Sequence, residues 1–372
     1  MPIFTGDDDS ASLTGQLQTW LRLKDGYGQS VVQPIAQATD GAGWSNETYK
    51  ISFSRSPDAP QETYILRIPP KGESLLRDYD VKLQYDTMKA LEGIQGYPVV
   101  RGKWFEGDTS HIGRPFFLME YAEGTSAADK PIYYNAGWVA DATDEQRAHM
   151  WTSTVDTIAR LAPIDWEARG LGSYTWPDRN RSCIDQNLEH WEQIYDWGAT
   201  FFPGTPLPKV VVDLRDWLRA NLPREDAVAF NWGDARFANM IFRDFEPVAL
   251  LDWELAMVGD PEIDITFFLF ADRHLQLLAG NGGPLPELKG FLTEADTLAR
   301  YERLRNVKVK NANFYWLFNA YRIYGVRQRI AGLSVKWKIL DLPAALRLRE
   351  VPTLESDVRR RMEMKPSDIW ET

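Results

Sequence analysis

The stretch Trp232-Gly233-Asp234-Ala235-Arg236-Phe237-Ala238-Asn239, followed by Ala249-Leu250-Leu251-Asp252-Trp253-Glu254, decides how this chain is read. Residues 239–243 (Asn-Met-Ile-Phe-Arg) and 248–252 (Val-Ala-Leu-Leu-Asp) are rich in the β-branched and large apolar side chains that favour strands. Asp244-Phe245-Glu246-Pro247 between them carries turn chemistry. The pattern therefore predicts a hairpin. With Arg243 opposite Val248, antiparallel register sets Asn239 opposite Asp252, with Cβ atoms roughly 4.5–5.5 Å apart. Two oxygen-bearing side chains then meet at the open end of one hairpin. That pairing suits a hard cation with oxygen ligands, above all magnesium bridging nucleotide phosphates.

Asp234 falls just upstream, in the turn entering the hairpin. A carboxylate there can align an attacking hydroxyl or accept its proton. The plain alternative is a surface hairpin with polar ends. Three polar residues at related positions, with Trp253 and Leu255 indicating a partly buried setting, favour the catalytic reading. It makes Asp234 the base, Asn239 and Asp252 the metal ligands, and Glu254 an accessory ligand. Arg236 either steadies the phosphate or a neighbouring acid, or lies on the surface. The reaction expected is phosphoryl transfer.

These motifs resemble the catalytic and metal-binding loops of the aminoglycoside phosphotransferase and choline kinase families, relatives of the protein kinases, whose catalytic loop has Asp and Asn at the same spacing. The usual pattern is His-Gly-Asp, four residues, Asn, then a strand ending in Asp near another acid. Trp232 stands where His is usual, at a position that is mainly scaffold. Gly259-Asp260-Pro261 and Asp264 continue the resemblance, and both acids read as structural. The similarity is strongest to the branch that includes kinase-like domains fused to some acyl-CoA dehydrogenases, and it covers most of residues 35–270.

The resemblance implies an α+β, two-lobed, protein-kinase-like fold. A small N-terminal lobe of antiparallel strands, residues 1–121, precedes a larger, mainly helical lobe, residues 122–372. The nucleotide is expected in the cleft between lobes. ATP is the implied phosphoryl donor, with GTP the other candidate, and Mg²⁺ the implied ion. The acceptor is a hydroxyl of a small molecule, either aminoglycoside-like or hydroxyacyl-type. The rival readings are a nucleotide-binding pseudokinase without turnover and a protein kinase. The absence of a recognisable Asp-Phe-Gly and Ala-Pro-Glu pair counts against the latter.

The remaining nucleotide-binding candidates are also carried by the resemblance. Gly41-Ala42-Gly43-Trp44-Ser45-Asn46 precedes a strand. A glycine backbone there can approach phosphates and donate N–H groups to them. Gly43, Trp44, Ser45 and Asn46 are the candidates of this loop. Arg67 falls where a strand lysine usually contacts the phosphates, and a planar guanidinium is not equivalent to an ammonium. The partner acid on the following helix would fall at Gln84, which is uncharged, with Asp80 and Asp86 as substitutes. Pro115-Phe116-Phe117-Leu118-Met119-Glu120-Tyr121 reads as a buried strand broken by Ala122-Glu123-Gly124-Thr125, similar to the hinge of kinases. Backbone groups of Glu120 and Ala122 are the candidates for the adenine edge.

Composition sets the outer limits. A chain of 372 residues can bury two substantial cores. No run of about 18 apolar residues is present, so no membrane span is expected. The start lacks a basic and apolar leader, and the single Cys183 precludes an internal disulfide, so a reducing, cytoplasmic setting is expected. The net charge of −11 argues against nucleic-acid binding and is compatible with a cationic substrate or with simple solubility. Most of the 15 tryptophans are expected to fill cores, with some available to line an apolar substrate groove.

Helical spacing predicts elements over 13–23, from a Thr143/Gln146 capping box to Leu161, around 188–195, over 211–222 and over 313–333. In the last of these, Phe314, Leu317, Phe318 and Tyr321 form a core stripe. Residues 131–138 read as an irregular aromatic segment, either a substrate-side flap or a packed loop.

Overall fold

A computed structural model describes residues 7–37, 46–77, 79–127, 129–172, 175–224 and 227–369, without the side chains of 7–9 and 36–37. Gly43, Trp44 and Ser45 lie outside the described residues. The chain divides into two compact units, one of residues 1–94 and 99–123 and one of residues 95–98 and 124–372.

The first unit begins with α1 (Asp7–Leu21) and the short strands β1 (Val31–Val32) and β2 (Ala36–Gln37). The strands β3 (Glu47–Ser54) and β4 (Gln61–Ile68) follow, then α2 (Val81–Leu91), β5 (Gly102–Glu106) and β6 (Phe116–Glu120). They form a six-stranded antiparallel sheet in the order β1-β3-β4-β6-β5, with β2 paired to β3. Alternation gives each strand two faces. Ile51 and Phe53 of β3, Tyr64, Leu66 and Ile68 of β4, and Phe116 and Leu118 of β6 form one core with Leu17, Trp20 and Leu21 of α1. The opposite face carries Phe117, whose ring meets Tyr85 of α2 at 6.1 Å. Arg67 pairs in register with Phe117 and so shares that covered face. It is buried, not the solvent-facing strand arginine that was the alternative reading.

The second unit is mainly helical: α3 (Asp144–Leu161), α4 (Cys183–Ala199), α5 (Lys209–Ala220), α6 (Glu262–Gly280), α7 (Glu294–Arg305), α8 (Ala312–Lys336), α9 (Leu342–Glu350) and α10 (Pro352–Met362). Two antiparallel ribbons interrupt the helices. One pairs β7 (Ala229–Asn231) with β10 (Met257–Gly259), and the other pairs β8 (Met240–Arg243) with β9 (Glu246–Leu250). The α+β composition expected of the sequence is thus found, with the described sheet of six strands confined to the first unit.

Helix α8 departs from the single stripe expected of it. Phe314, Tyr315, Trp316, Leu317 and Phe318 are consecutive and all buried, as are Tyr321 and Tyr324. A helix apolar on every side is a central helix, and α8 packs on α4, α5, α6, α9 and α10. The aromatic segment 131–138 is a packed loop at Tyr133 and Tyr134, both buried, whose hydroxyls donate to the Asp272 carboxylate at 2.6 and 2.9 Å.

The capping box of α3 is present. The Thr143 hydroxyl accepts from Gln146 N at 3.3 Å, and Thr143 N donates to Gln146 Oε1 at 2.9 Å. Replacing Thr143 by Ala leaves those helix-end donors to water and should lower the unfolding free energy by about 1 kcal/mol. Urea denaturation of both proteins reads this directly, and an unchanged midpoint would show that the cap contributes nothing.

Candidate active site

The loop between β7 and β8 is held by its backbone before any of its side chains act. Asp264, in the first turn of α6, accepts Trp232 N at 2.7 Å on Oδ2 and Gly233 N at 2.8 Å on Oδ1. Arg322 of α8 donates from Nη2 to Gly233 O at 2.7 Å and from Nη1 to Asn319 Oδ1 at 2.9 Å. Gly233 has φ +84°, and a Cβ there would fall 1.8 Å from Leu255 O. Only glycine lets the loop pass this close to the next one. The expected scaffold role of Trp232 takes a definite form. Its indole Nε1 donates to Leu251 O at 2.8 Å, tying the loop to the residue before Asp252.

Further along, a single 3₁₀ turn spans Phe237–Asn239. The buried Phe237 ring pins it, with Phe268 at 5.0 Å, Tyr133 at 5.6 Å, Phe291 at 5.7 Å and Trp151 and Phe242 at 5.8 Å. Offset and edge-to-face aromatic contacts of this kind add to area burial. Fixing Phe237 fixes the residues on both sides of it.

Asp234 and Asn239 are thereby joined. Asn239 Nδ2 donates to Asp234 Oδ2 at 2.7 Å and to Asp234 O at 3.1 Å. Because the amide nitrogen is turned to Asp234, the amide oxygen of Asn239 is left for another donor or a cation. Arg236 Nε lies 3.1 Å from Asp234 Oδ1, and its Nη1 donates to Asp129 Oδ2 at 2.5 Å. Burial raises the Asp234 pKa and the Asp252 charge adds to this, while Arg236 and the Asn239 hydrogen bond oppose it. Burial works against the Arg236 charge, but Asp234 and Asp129 hold the guanidinium protonated. Asp252 therefore sits within electrostatic reach of Asp234 and Arg236.

The hairpin register differs from the expected one. Arg243 pairs with Glu246 and Phe242 with Pro247, across a two-residue turn at Asp244 (φ 50°) and Phe245 (φ 64°). Two successive positive φ values mark the tight hairpin turn that matches strand twist. A bulge then shifts the ladder, so that Ile241 pairs with Ala249 and Met240 with Leu250. Asn239 O accepts Leu251 N at 2.9 Å, so Asn239 faces Leu251 and Asp252 lies one residue beyond. Asp252 itself is left-handed, φ 61° and ψ 69°. A non-glycine residue in that region carries strain that the surrounding structure must hold. Glu254 lies on the following 3₁₀ turn, Trp253–Leu255.

The oxygen donors fit a hard divalent ion: an amide oxygen at Asn239 and a carboxylate at Asp252, beside a buried carboxylate whose charge Asp252 opposes. Among the described residues no group of three or more His, Cys, Asp and Glu forms a metal cluster. An ion here would draw its remaining ligands from phosphate oxygens and water, as magnesium commonly does.

In the first unit Asn46 is buried, and its Oδ1 accepts the Tyr79 hydroxyl, which in turn accepts Gln84 Nε2 at 3.0 Å. Gln84 is therefore a buried neutral group with a neutral partner. Asp80 and Asp86, the substitutes for an acid at that position, are engaged with Lys82. Asp80 caps α2 by accepting Lys82 N at 2.8 Å, and Asp86 pairs with Lys82 on the exposed side. At the expected hinge, Glu120 N donates to Arg101 O at 2.9 Å, so that N–H is committed within the unit. Asp260 Oδ1 accepts Glu262 N at 2.9 Å just ahead of α6, and Asp264 anchors the loop, so each acid has a hydrogen-bonding task in the scaffold.

Two groups at this site escaped the sequence reading. Arg322 stands next to the aromatic run of α8, and an arginine adjoining so apolar a stretch was the available signal. Asp129 is 107 residues from its partner Arg236, and no local pattern marks it.

The chain is similar to known proteins in sequence and in fold. Residues 37–302 match the model of the phosphotransferase enzyme family (APH). The human acyl-CoA dehydrogenase family member 11 is 26% identical over 330 residues, covering 87% of this chain. The chain spans only about 39% of the length of that relative. A Ralstonia eutropha JMP134 protein assigned to the aminoglycoside phosphotransferases has a crystal structure that aligns with a TM-score of 0.69 at 25% identity, over 94% of this chain and 98% of that one. The amicoumacin kinase solved with AMP-PNP, Ca²⁺ and Ami aligns at TM-score 0.54 and 14% identity over 96% of this chain and 98% of its own, a likeness of fold.

Burial lifts the Asp264 pKa to about 6 from 3.8, against the two backbone hydrogen bonds that favour its ionised form. The folded chain therefore binds a proton there at a pH where the unfolded chain does not, and stability falls as pH rises through that window. Glu262 and Asp272 are shifted in the same direction, to about 7 and about 6. The difference between wild type and Asp264→Asn isolates the Asp264 share. The variant should show a shallower fall in urea midpoint between about pH 4 and pH 6, and equal slopes would remove Asp264 from this role.

Proposed function

Because this chain belongs to the phosphotransferase enzyme family, we propose that it is a small-molecule kinase. It would transfer the γ-phosphoryl group of ATP, or of GTP, to a hydroxyl in a Mg²⁺-dependent reaction. The observation that carries this reading is the buried Asp234–Asn239 hydrogen bond, with the Asp252 charge acting on the same carboxylate. The kinase-like fold and a relative of that fold solved with a nucleotide analogue and a divalent ion support it.

Asp234 would align the acceptor hydroxyl and take its proton as the O–P bond forms. Burial and the neighbouring Asp252 make it a better proton acceptor than an exposed aspartate. Arg236, held between Asp234 and Asp129, would keep that carboxylate oriented. Asn239 and Asp252 would hold the ion, with Glu254 as accessory. When bound, the ion neutralises the charge that develops on the transferring phosphoryl group. Asn46, Arg67, Glu120 and Ala122, with the loop residues Gly43, Trp44 and Ser45, are the proposed nucleotide contacts. Alignment and charge neutralisation would supply most of the rate.

The neutral Gln84 favours a second reading, a nucleotide-binding module without turnover. A screen of hydroxyl compounds with γ-labelled ATP separates the two, since only a kinase passes label to an acceptor.

Asp234→Asn should cut turnover by about 10²–10⁴ while nucleotide affinity survives. Near-normal turnover in that variant would take Asp234 out of the chemistry. Asp252→Ala should weaken nucleotide binding in Mg²⁺ and leave binding in EDTA unchanged. Calorimetric titration under both conditions reads the difference, and an unaltered Mg²⁺ dependence would exclude Asp252 as a ligand.

A further inference from the structure

The arginine beside Asp234 is gripped from its far side. Arg236 Nη1 donates to Asp129 Oδ2 at 2.5 Å, a charge-assisted hydrogen bond. Its contact with Asp234 is of another kind. Arg236 Nε lies 3.1 Å from Asp234 Oδ1, yet its N–H is aligned on no acceptor among the described residues. Attraction between two ions depends on their distance, whereas a hydrogen bond weakens steeply once it is bent. Asp129 therefore sets the direction of the guanidinium, and Asp234 feels its charge. On its other oxygen Asp234 accepts Asn239 Nδ2 at 2.7 Å. One side of the carboxylate is thus fixed by an amide, and the other is only as steady as the arginine facing it.

Asp129 owes its place to fastenings on both sides of it in the chain. Ahead of it, Thr125 N donates to Phe242 O and Phe242 N to Thr125 O, each at 2.9 Å. The Ser126 hydroxyl donates to Ala238 O at 2.8 Å. Behind it, the Tyr133 and Tyr134 hydroxyls are tied to Asp272 of α6, and the Tyr133 ring meets Phe237 at 5.6 Å. Phe237 and Ala238 lie in the same 3₁₀ turn as Asn239, and Phe242 lies in the strand that follows it. The segment that carries Asp129 is therefore fastened to the turn that carries Asn239. The Asp129 side chain is 40% exposed and that of Arg236 30%. An ion pair so open to water adds little to stability, and its consequence lies in where it points the guanidinium.

We propose that Asp129 is a positioning residue for phosphoryl transfer: it orients Arg236, and the oriented arginine holds Asp234 Oδ1 in line with the acceptor hydroxyl. In this scheme Asp129 touches neither the acceptor nor the phosphoryl group. It also commits Arg236 to the carboxylate and not to the nucleotide phosphates. A base displaced on the ångström scale loses turnover by up to about 10² while nucleotide affinity is kept. The inference rests on the kinase reading of Asp234 and adds to it a side chain from a distant part of the chain.

Two measurements on the full chain test it. The first follows phosphate release from γ-labelled ATP in Mg²⁺, with water as the acceptor. Asp129→Asn should lower kcat by about 10–100-fold and leave KM for ATP within about twofold, and Asp129→Glu, which keeps the charge, should recover part of the loss. In an Arg236→Ala background the Asp129→Asn change should have no further effect, because side chains that act through one another are not additive. Near-normal kcat in Asp129→Asn, a loss carried by KM, or full additivity in the double variant would overturn the proposal. The second measurement needs no turnover and reads the Arg236 guanidinium by nitrogen NMR. A guanidinium bonded through one Nη cannot rotate freely, so wild type should give separate Nη1 and Nη2 signals, with and without Mg²⁺ and AMP-PNP, and Asp129→Asn should merge them. Merged signals in wild type, a result independent of how any variant folds, or separate signals in Asp129→Asn would equally overturn it. Absence of phosphate release in wild type would instead count against the kinase reading, and the guanidinium signals would still decide whether Asp129 orients Arg236.

Discussion

The candidate site depends on one carboxylate. Asp264 is buried and takes two backbone N–H groups, from Trp232 and Gly233, on its two oxygens. A buried carboxylate is costly unless its oxygens are satisfied. The arrangement therefore has strong reason to persist as a unit. Once those peptides are fixed, Gly233 lies against Leu255 O, Arg322 reaches Gly233 O, and the Trp232 indole reaches Leu251 O. The two loops are stitched together through their backbone carbonyls. Asp234 follows the first loop's stitched segment and Asp252 follows the second's. Their mutual charge effect is a consequence of that stitching.

The polar side chains inherit their positions from apolar packing. Phe237 is surrounded by Tyr133, Trp151, Phe242, Phe268 and Phe291. Its 3₁₀ turn brings Asn239 back onto Asp234, five residues earlier. The high aromatic content therefore contributes to core structure around the site. It also leaves a carboxylate, an amide and a guanidinium in a setting where charge is screened less than in water.

The proximity of Asp234, Asn239 and Asp252 was legible in the sequence because their spacing is local. The capping box of α3 was legible for the same reason. The hairpin register was not. Its turn uses Asp244 and Phe245 at positive φ, without the Asn-Gly or Asp-Gly that signals such turns, and a bulge leaves no trace in hydrophobic alternation. The all-round burial of α8 was hidden because periodicity finds one face, and this helix has no exposed counterpart over its aromatic run. Asp129 and Arg322 act through partners dozens of residues away, and no window along a single chain contains both members of such pairs. The neutral Gln84 was visible, but its partner Tyr79 became apparent only with the fold.

In the proposed reaction Asn239 and Asp252 offer their oxygens to a divalent ion that accompanies the nucleotide. A crystal structure of the chain with Mn²⁺ and AMP-PNP, with the ion located by its anomalous signal, tests this most directly. A peak is expected about 2.1–2.2 Å from the Asn239 amide oxygen and an Asp252 carboxylate oxygen, within the range of hard-cation–oxygen bonds. Nucleotide and ion bound with neither of those oxygens in the coordination shell would contradict it.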